Sequence, residues 1–313
     1  MEKQVKRIKK HGQVPEKQAR EHGKARRRGF WNALLRVFGI LLAAVFILGA
    51  IAAGYALYYK THYKITFYQE ISGKIEGKLR IAVLSDVHNR EYGEQNEVLL
   101  ADLRALKPDL ILFPGDMVIR EQDDYQAVLK LVAQCALIAP CYGVLGNHES
   151  ERIYYRGDAA LPERFDNAGL VLLRNAREEI RIGSNTIHLL GVEGTAYGFE
   201  EYGGREFMEN TPTESDVYSI VMAHIPILFD GQLSDYDFDL GIAGHVHGGI
   251  VRLPFIGGIY SQEEGFFPKF TAGSYILDKG QALIISAGLG DSRLFPPRIN
   301  NAPELVVIDI NRG

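Results

Sequence analysis

Cysteine is scarce: the 313-residue chain holds Cys135 and Cys141 and no others. Two thiols with no further soft ligand beside them argue against a thiolate metal site. Cys135 falls in a helical pattern and Cys141 opens a strand pattern, so a disulfide is geometrically open, but two buried free thiols are the expected state. Internal repeats and long linkers are also lacking, which predicts one domain after the N-terminal segment. Charge is missing altogether from Val37 to Tyr59, 23 residues reading VFGILLAAVFILGAIAAGYALYY between Arg36 and Lys60. As a helix this run would be about 34 Å long, enough to cross a hydrocarbon core of roughly 30 Å. A buried core helix is the alternative, but uncharged runs of this length are rare in soluble domains.

The charge that is present is divided unevenly. Residues 1–36 carry a net of +9, so the rest of the chain carries −13 of the overall −4. Positive flanks stay in the cytoplasm, which predicts a basic cytoplasmic tail over 1–36, solvated and drawn to anionic lipid rather than to nucleic acid. The predicted organisation is then that tail, a transmembrane helix over 37–59, a connector over 60–78 with a short strand, and a domain over 79–313 outside the cytoplasm. Arg27, Arg28 and Phe30 partly match a twin-arginine export signal, and Ala50, Ala52 and Ala53 offer a cleavage site. Export followed by release is therefore the alternative to a retained single-pass anchor in the cell membrane.

Beyond the connector, short apolar runs alternate with helical stripes: LRIAVLS, a stripe over 96–107, DLILFP, a stripe over 123–138, then CYGVLG. Such alternation predicts an α/β layer with parallel pairing. Past Asp166 strands dominate and helical patterns are few, with long loops over 194–216 and 249–278. Two mixed sheets packed face to face with helices outside is the expected form.

Each apolar run ends in a polar cluster: Asp86 and His88 in VLSDVHN, Asp116 in LFPGDMV, Asn147 and His148 in VLGNHES, His224 in VMAHIP, His245 and His247 in IAGHVHGG. Parallel strands bring their carboxyl ends to one edge of a sheet, where open α/β folds place ligands. Alone, His224 reads as a packed half-buried histidine, and Asp86 or Asp116 as a helix cap. Together, imidazoles, carboxylates and an amide oxygen make a mixed nitrogen and oxygen shell suited to Mn, Fe or Zn rather than Ca or Mg. Seven ligands exceed one tetrahedral ion and suit two that share a carboxylate.

The motifs D-x-H, G-D, G-N-H-[DE], H and G-H-x-H, in this order from Asp86 to His247, resemble those of the calcineurin-like metallophosphoesterases. The stretches GGIVRLPFIGG, GFFPKFTAGSY and PPRINNAPELVVI are similar to the bacterial membrane-associated or exported phosphodiesterase branch, so the likeness covers residues 79–310. The resemblance implies the calcineurin-like fold, an α/β sandwich of two mixed β-sheets flanked by helices. It also implies a phosphoester hydrolase, with a phosphodiester the expected substrate, in which a metal-bridging hydroxide attacks phosphorus. Asp86, His88 and His247 would hold one divalent cation, Asn147, His224 and His245 a second, and Asp116 would bridge them. Mn2+, Fe2+/Fe3+ and Zn2+ all remain open. His148 would serve catalysis by steadying a phosphate oxygen or protonating the leaving group, and Glu149 would support the loop.

The chain departs from the family pattern after Asp116. Where related phosphatases have G-D-x-x-D-R it reads GDMVIR, with Ile119 in place of the aspartate that steers the catalytic histidine. His148 then either has another partner, Asp123 or Asp124 being the candidates, or does without one. Arg120 keeps the position of a phosphate-binding arginine, whose planar fork suits that ligand. Arg293 and Arg298, near the last glycine loop, are expected at the surface, with contact to substrate the alternative; His188 is expected in packing, and His11, His22 and His62 in solvent. The expected substrate is a phosphate ester, lipid or cell-envelope linked by inference from location, with no nucleic-acid partner. A catalytically weak metal-binding scaffold at the membrane, and a metal store or sensor, are the competing readings.

Overall fold

The computed structural model describes residues 16–194, 198–261, 263–291 and 298–313. Arg293 and His11 fall outside these residues, as does the side chain of His22. The chain divides into two compact units, one ending at Gly54 and one running from Tyr55 to Gly313.

Helix α1 (Glu16–Tyr58) spans 43 residues. From Glu16 the basic arm is helical; its Lys, Arg, Gln, Glu and Ala are all strong helix formers. Within α1, the 33 residues Arg26–Tyr58 reach a mean hydropathy of 2.6 in their most apolar stretch, long and apolar enough to cross a membrane. Their large side chains are exposed, Phe46 at 79 % for example.

The second unit holds the strands and the remaining helices. In chain order these are β1 (Lys64–Ser72), β2 (Lys78–Val83), α2 (Glu97–Leu106), β3 (Leu110–Phe113), α3 (Gln126–Ala136), β4 (Cys141–Gly143), α4 (Asn147–Tyr155), α5 (Leu161–Asn167), β5 (Leu170–Leu172), β6 (Ala176–Ile182), β7 (Asn185–Val192), α6 (Gly204–Asn210), β8 (Tyr218–Ala223) and β9 (Leu240–Ala243). Two small hairpins follow, β10 (Arg252–Leu253) with β11 (Gly257–Gly258) and β12 (Tyr260–Ser261) with β13 (Gly265–Phe266). The last strands are β14 (Gly273–Ile276), β15 (Ala282–Ile285) and β16 (Glu304–Arg312).

Ten of these strands and β14–β15 build two six-stranded sheets, ordered β1-β16-β2-β3-β4-β5 and β14-β15-β9-β8-β7-β6. Both are mixed: β16 runs antiparallel to β2, as β14 does to β15 and β6 to β7, while the remaining pairs are parallel. Residues 64–72, read as a connector strand, form a full edge strand against β16.

The sheets face each other across a core in which Ile81, Leu112 and Ile308 of the first meet Leu189, Met222 and Ile284 of the second. Alternate residues Ala82, Ile111 and Phe113 point the other way and pack under α2 and α3, against Leu99, Leu103, Val128 and Val132. The outer face of the second sheet is covered differently, by Phe229, Phe238, Phe270 and Met208 from short turns and the seven-residue α6. Helix α6 lies in a stretch read as loop, because it is too short to show an apolar stripe. Cys135 and Cys141 are both buried and free, and burial pushes the Cys141 thiol up to about 12.

Candidate metal centre

The carboxyl ends of β2, β3, β8 and β9, with the start of α4, bring the polar clusters together. Asp86 follows β2, and its amide donates to the Gly115 carbonyl (3.1 Å), locking the loop after β2 onto the loop after β3. The His88 amide donates to the Asp116 carbonyl at 3.1 Å, and the His245 amide donates to Asp86 Oδ1 at 3.0 Å. Ser85 Oγ donates to Asp86 Oδ2. These loops are tight enough to strain the backbone: Asp86, His88, Asp116, His245 and His247 all have positive φ, between 46° and 68°. Each such non-glycine residue costs about 1–3 kcal/mol, a strain that collects at functional sites. Where the approach is closest only glycine fits. A Cβ on Gly146 would overlap the Asp116 carboxylate, and one on Gly244 would overlap Ser85 and Asp86.

Two groups of donors lie on either side of the Asp116 carboxylate. In the first, ligand atoms of Asp86, His88 and His247 lie within 4.8 Å of one another, and in the second so do those of Asp116, His224 and His245. His88 Nε2 stands 3.2 Å from His247 Nε2 and 3.8 Å from Asp116 Oδ2. His224 Nε2 stands 3.3 Å from the same Asp116 oxygen, 3.1 Å from Asn147 Oδ1 and 3.1 Å from His245 Nδ1. Asp86, His88, Asp116 and His224 are buried, while Asn147, His245 and His247 are partly exposed.

The far ring nitrogens show how these imidazoles are aimed. His224 Nδ1 donates to the Pro114 carbonyl at 2.8 Å, and His88 Nδ1 lies 3.4 Å from that of Val118. His245 Nε2 meets Glu263 Oε1 at 2.5 Å. An oxygen on one nitrogen leaves the other to face the centre as a lone pair, the arrangement of a metal-ligating histidine. His247 differs: its Nδ1 lies 3.1 Å from Arg298 Nη2, which also donates to the Ala287 and Gly290 carbonyls at 2.6 Å each. Nitrogen and carboxylate donors around a shared oxygen fit divalent first-row cations.

Electrostatics separates the groups. Burial lowers the His88 pKa, and burial together with His88 and Arg298 holds His247 well below the usual range. Burial would also lower His224, but Asp116 and Asp86 outweigh it and raise it to about 10. The Asp116 carboxyl, despite burial, is held well below its ordinary value by His224, His148 and His88.

His148, on the first turn of α4, is buried, and its amide donates to Asp116 Oδ1 at 2.9 Å. Its Nδ1 accepts the backbone N–H of Arg120 at 3.2 Å, so the neutral ring carries its proton on Nε2, 3.9 Å from Asp116 Oδ2. That nitrogen is also within 4.8 Å of donor atoms on His88 and Asp116. The expectation that Asp123 or Asp124 would steady this ring is corrected. Asp123 is exposed and pairs with Arg152 at 3.5 Å, and Asp124 accepts from the Gln126 amide at 3.0 Å. A backbone amide serves where Ile119 cannot. Burial lowers His148 to about 4.

Glu149 holds the loops together. Its carboxylate accepts from the amides of Asp116 (2.9 Å), Gly146 (2.8 Å) and Val118 (2.8 Å), and burial next to Asp116 raises it to about 7. Arg120 lines the same pocket as Asp116, Asn147, His148, His245 and His247, with its guanidinium paired to Glu121 and Glu151. Arg298, expected at the surface, is buried beside His247, where its Nη2 donates to carbonyls of the 287–290 loop. Glu263 went unnoticed in sequence, since it lies in a loop with no motif around it. His188 is buried, and His62 is exposed and stacked on Tyr58 at 3.9 Å between ring centroids.

A family model described as calcineurin-like phosphoesterase matches residues 79–249. The uncharacterised metallophosphoesterase YkuE of Bacillus subtilis (strain 168) is 29 % identical over 303 residues, covering 92 % of this chain and 98 % of its own. Phosphodiesterase YaeI of Escherichia coli (strain K12) is 25 % identical, covering 74 % of this chain and 82 % of its own. Among solved structures, a metallophosphoesterase from Sphaerobacter thermophilus is 18 % identical with a TM-score of 0.34, covering 69 % of this chain and 78 % of its own.

Proposed function

Because this chain belongs to the calcineurin-like phosphoesterases, hydrolases of phosphate esters, we infer that it is a phosphodiesterase working with two divalent cations at a membrane. One observation carries the reading: Asp116 stands between two groups of nitrogen and oxygen donors, 3.3 Å from His224 Nε2 and 3.8 Å from His88 Nε2. Asp86, His88 and His247 are the residues assigned to one cation, Asn147, His224 and His245 to the other, with Asp116 shared. When bound, such a pair supplies a nucleophile at neutral pH and neutralises charge on the phosphoryl oxygens. The likeness to phosphodiesterase YaeI supports a diester over a monoester.

The protein's own part is positioning. His148 presents Nε2–H to the pocket, where it donates to a phosphoryl or leaving-group oxygen. The Arg120 amide holds that ring in place, and Glu149 keeps the loops after β3 and β4 in register through three amides. Glu263 and the Pro114 carbonyl fix which nitrogen of His245 and His224 faces inward. Arg120 contributes to substrate binding if it exchanges Glu151 for phosphate.

The apolar part of α1 supports a single-pass anchor with the basic arm in the cytoplasm and the site outside it. Release after cleavage is the alternative topology. The competing scaffold reading rests on Ile119 alone, and the Arg120 amide answers it. The test is hydrolysis of bis-p-nitrophenyl phosphate by the full chain with and without Mn2+. Turnover that needs the metal is expected; absent turnover favours the scaffold, and metal-independent turnover overturns the two-cation reading.

A further inference from the structure

Exposed hairpins are ordinarily polar, yet the two that follow the GHVH histidines carry exposed apolar side chains. The β10–β11 hairpin turns through Phe255 and Ile256, while Phe266 and Phe267 stand at the open end of the β12–β13 hairpin, where Phe266 pairs with Tyr260. Phe255 is fully exposed, and Ile256, Phe266 and Phe267 are 60 %, 74 % and 66 % exposed. Phe255 and Phe267 also hold positive φ, 67° and 58°. A bulky side chain adopts that conformation only at a cost, and glycine or asparagine would serve the turn better. Neither burial nor backbone preference accounts for phenylalanine there, so the account must lie outside the chain.

These hairpins belong to the edge that carries the site. Ile250, just before the first hairpin, and Ser261, beside the turn of the second, line the pocket with His148, His245 and His247. The Ile259 amide donates to the Gly249 and Val251 carbonyls, at 3.2 and 2.9 Å, which fastens both hairpins to the histidine loop. Tyr59, the last residue of the uncharged run, gives its carbonyl to Arg90 Nη2 at 2.9 Å, and Arg90 is two residues from His88. Only residues 60–63 separate Tyr59 from β1, a reach of about 14 Å fully extended. The point where the chain would leave a bilayer is therefore fastened to the loop bearing His88.

We propose that Phe255, Ile256, Phe266 and Phe267 form a surface that enters the headgroup–acyl boundary of a lipid bilayer. A lipid surface is the occupant that fits exposed apolar side chains on two narrow hairpins of a unit in which Tyr59, at the end of the uncharged run, is hydrogen-bonded beside the His88 loop. Arg252 and Lys269 are balanced by Glu263 and Glu264 across this stretch, so apolar contact rather than attraction to anionic lipid does the holding. The proposal rests on the membrane-anchored reading above.

The test uses the full chain in phosphatidylcholine vesicles. Trp31 is the only tryptophan, so W31F combined with F255W, and separately with F267W, leaves one reporter in each protein. Lipids brominated along the acyl chain should quench that emission by about twofold or more, unchanged by high salt, while an aqueous quencher loses access. Carbonate washing reports separately whether the protein is membrane-integral. An integral protein whose reporters stay open to the aqueous quencher and untouched by brominated lipid overturns the surface and leaves the anchor standing. A protein washed free by carbonate but quenched on added vesicles overturns the anchor and supports the surface. A reporter shielded from both quenchers means that a second protein copy covers the hairpins, and overturns the proposal. Two reporter positions guard against one variant misfolding, which circular dichroism would reveal.

Discussion

The two donor groups around Asp116 are built from the same chemistry and set up differently. In the group of His224 and His245, each far ring nitrogen rests on an oxygen, the Pro114 carbonyl at 2.8 Å and Glu263 at 2.5 Å. In the group of His88 and His247, the corresponding contacts are a long 3.4 Å approach to Val118 and a buried arginine. Titration differs as well: Asp116 and Asp86 outweigh burial and raise His224 to about 10, while burial lowers both His88 and His247. One motif, GHVH, thus sends neighbouring histidines into opposite surroundings. Ligand identity gives a site its composition, and the groups behind the ligands decide how ready each half is to take a cation.

The largest effect should come from removing what the halves share. Asp116→Asn should abolish metal-dependent hydrolysis and leave fewer than two cations per chain by elemental analysis; full metal content with full turnover would end the shared-carboxylate account. His148→Ala should cut kcat by about 10²–10³-fold while both cations stay bound, because the ring donates to substrate and not to metal. Loss of a cation instead would move His148 into the ligand set.

Glu263→Gln separates the halves. It keeps the shape but weakens the hold on His245, so affinity for one of the two cations should fall by about 10–100-fold and the other should be unmoved. Equal weakening of both would erase the difference between the groups.

The smallest effect is in pH. A proton on His224 competes with a cation, and its folded-state pKa lies above neutral, so affinity at that half should rise by up to about tenfold per pH unit toward pH 10. His88 and His247 are already neutral there, so the other half should show no such slope. Titration calorimetry in buffers of different ionisation enthalpy should count about one proton released by one cation and none by the other. Equal proton release would contradict the electrostatic contrast.

Much of this was legible along the chain. Each polar cluster follows an apolar run, and parallel pairing of β2, β3 and β4, and of β7, β8 and β9, carries those clusters to one edge. Three features were not legible. Arg298 looks like any surface arginine until the 287–290 carbonyls surround it. Glu263 stands 18 residues beyond His245 in a loop without periodicity. The steadying of His148 comes from a backbone amide, which every residue but proline carries and which therefore leaves no mark in sequence.

By itself the sequence determined which donors exist, their order, the apolar runs that make two sheets, and an uncharged stretch long enough to cross a bilayer. These depend on residue type and periodicity, which are local. The tertiary structure alone decided which ring nitrogen faces the centre, which half lies in the stronger negative field, and that strained phenylalanines stand out beside the pocket. Those depend on contacts between residues far apart in the chain, where orientation and burial are set by packing and not by neighbours in sequence.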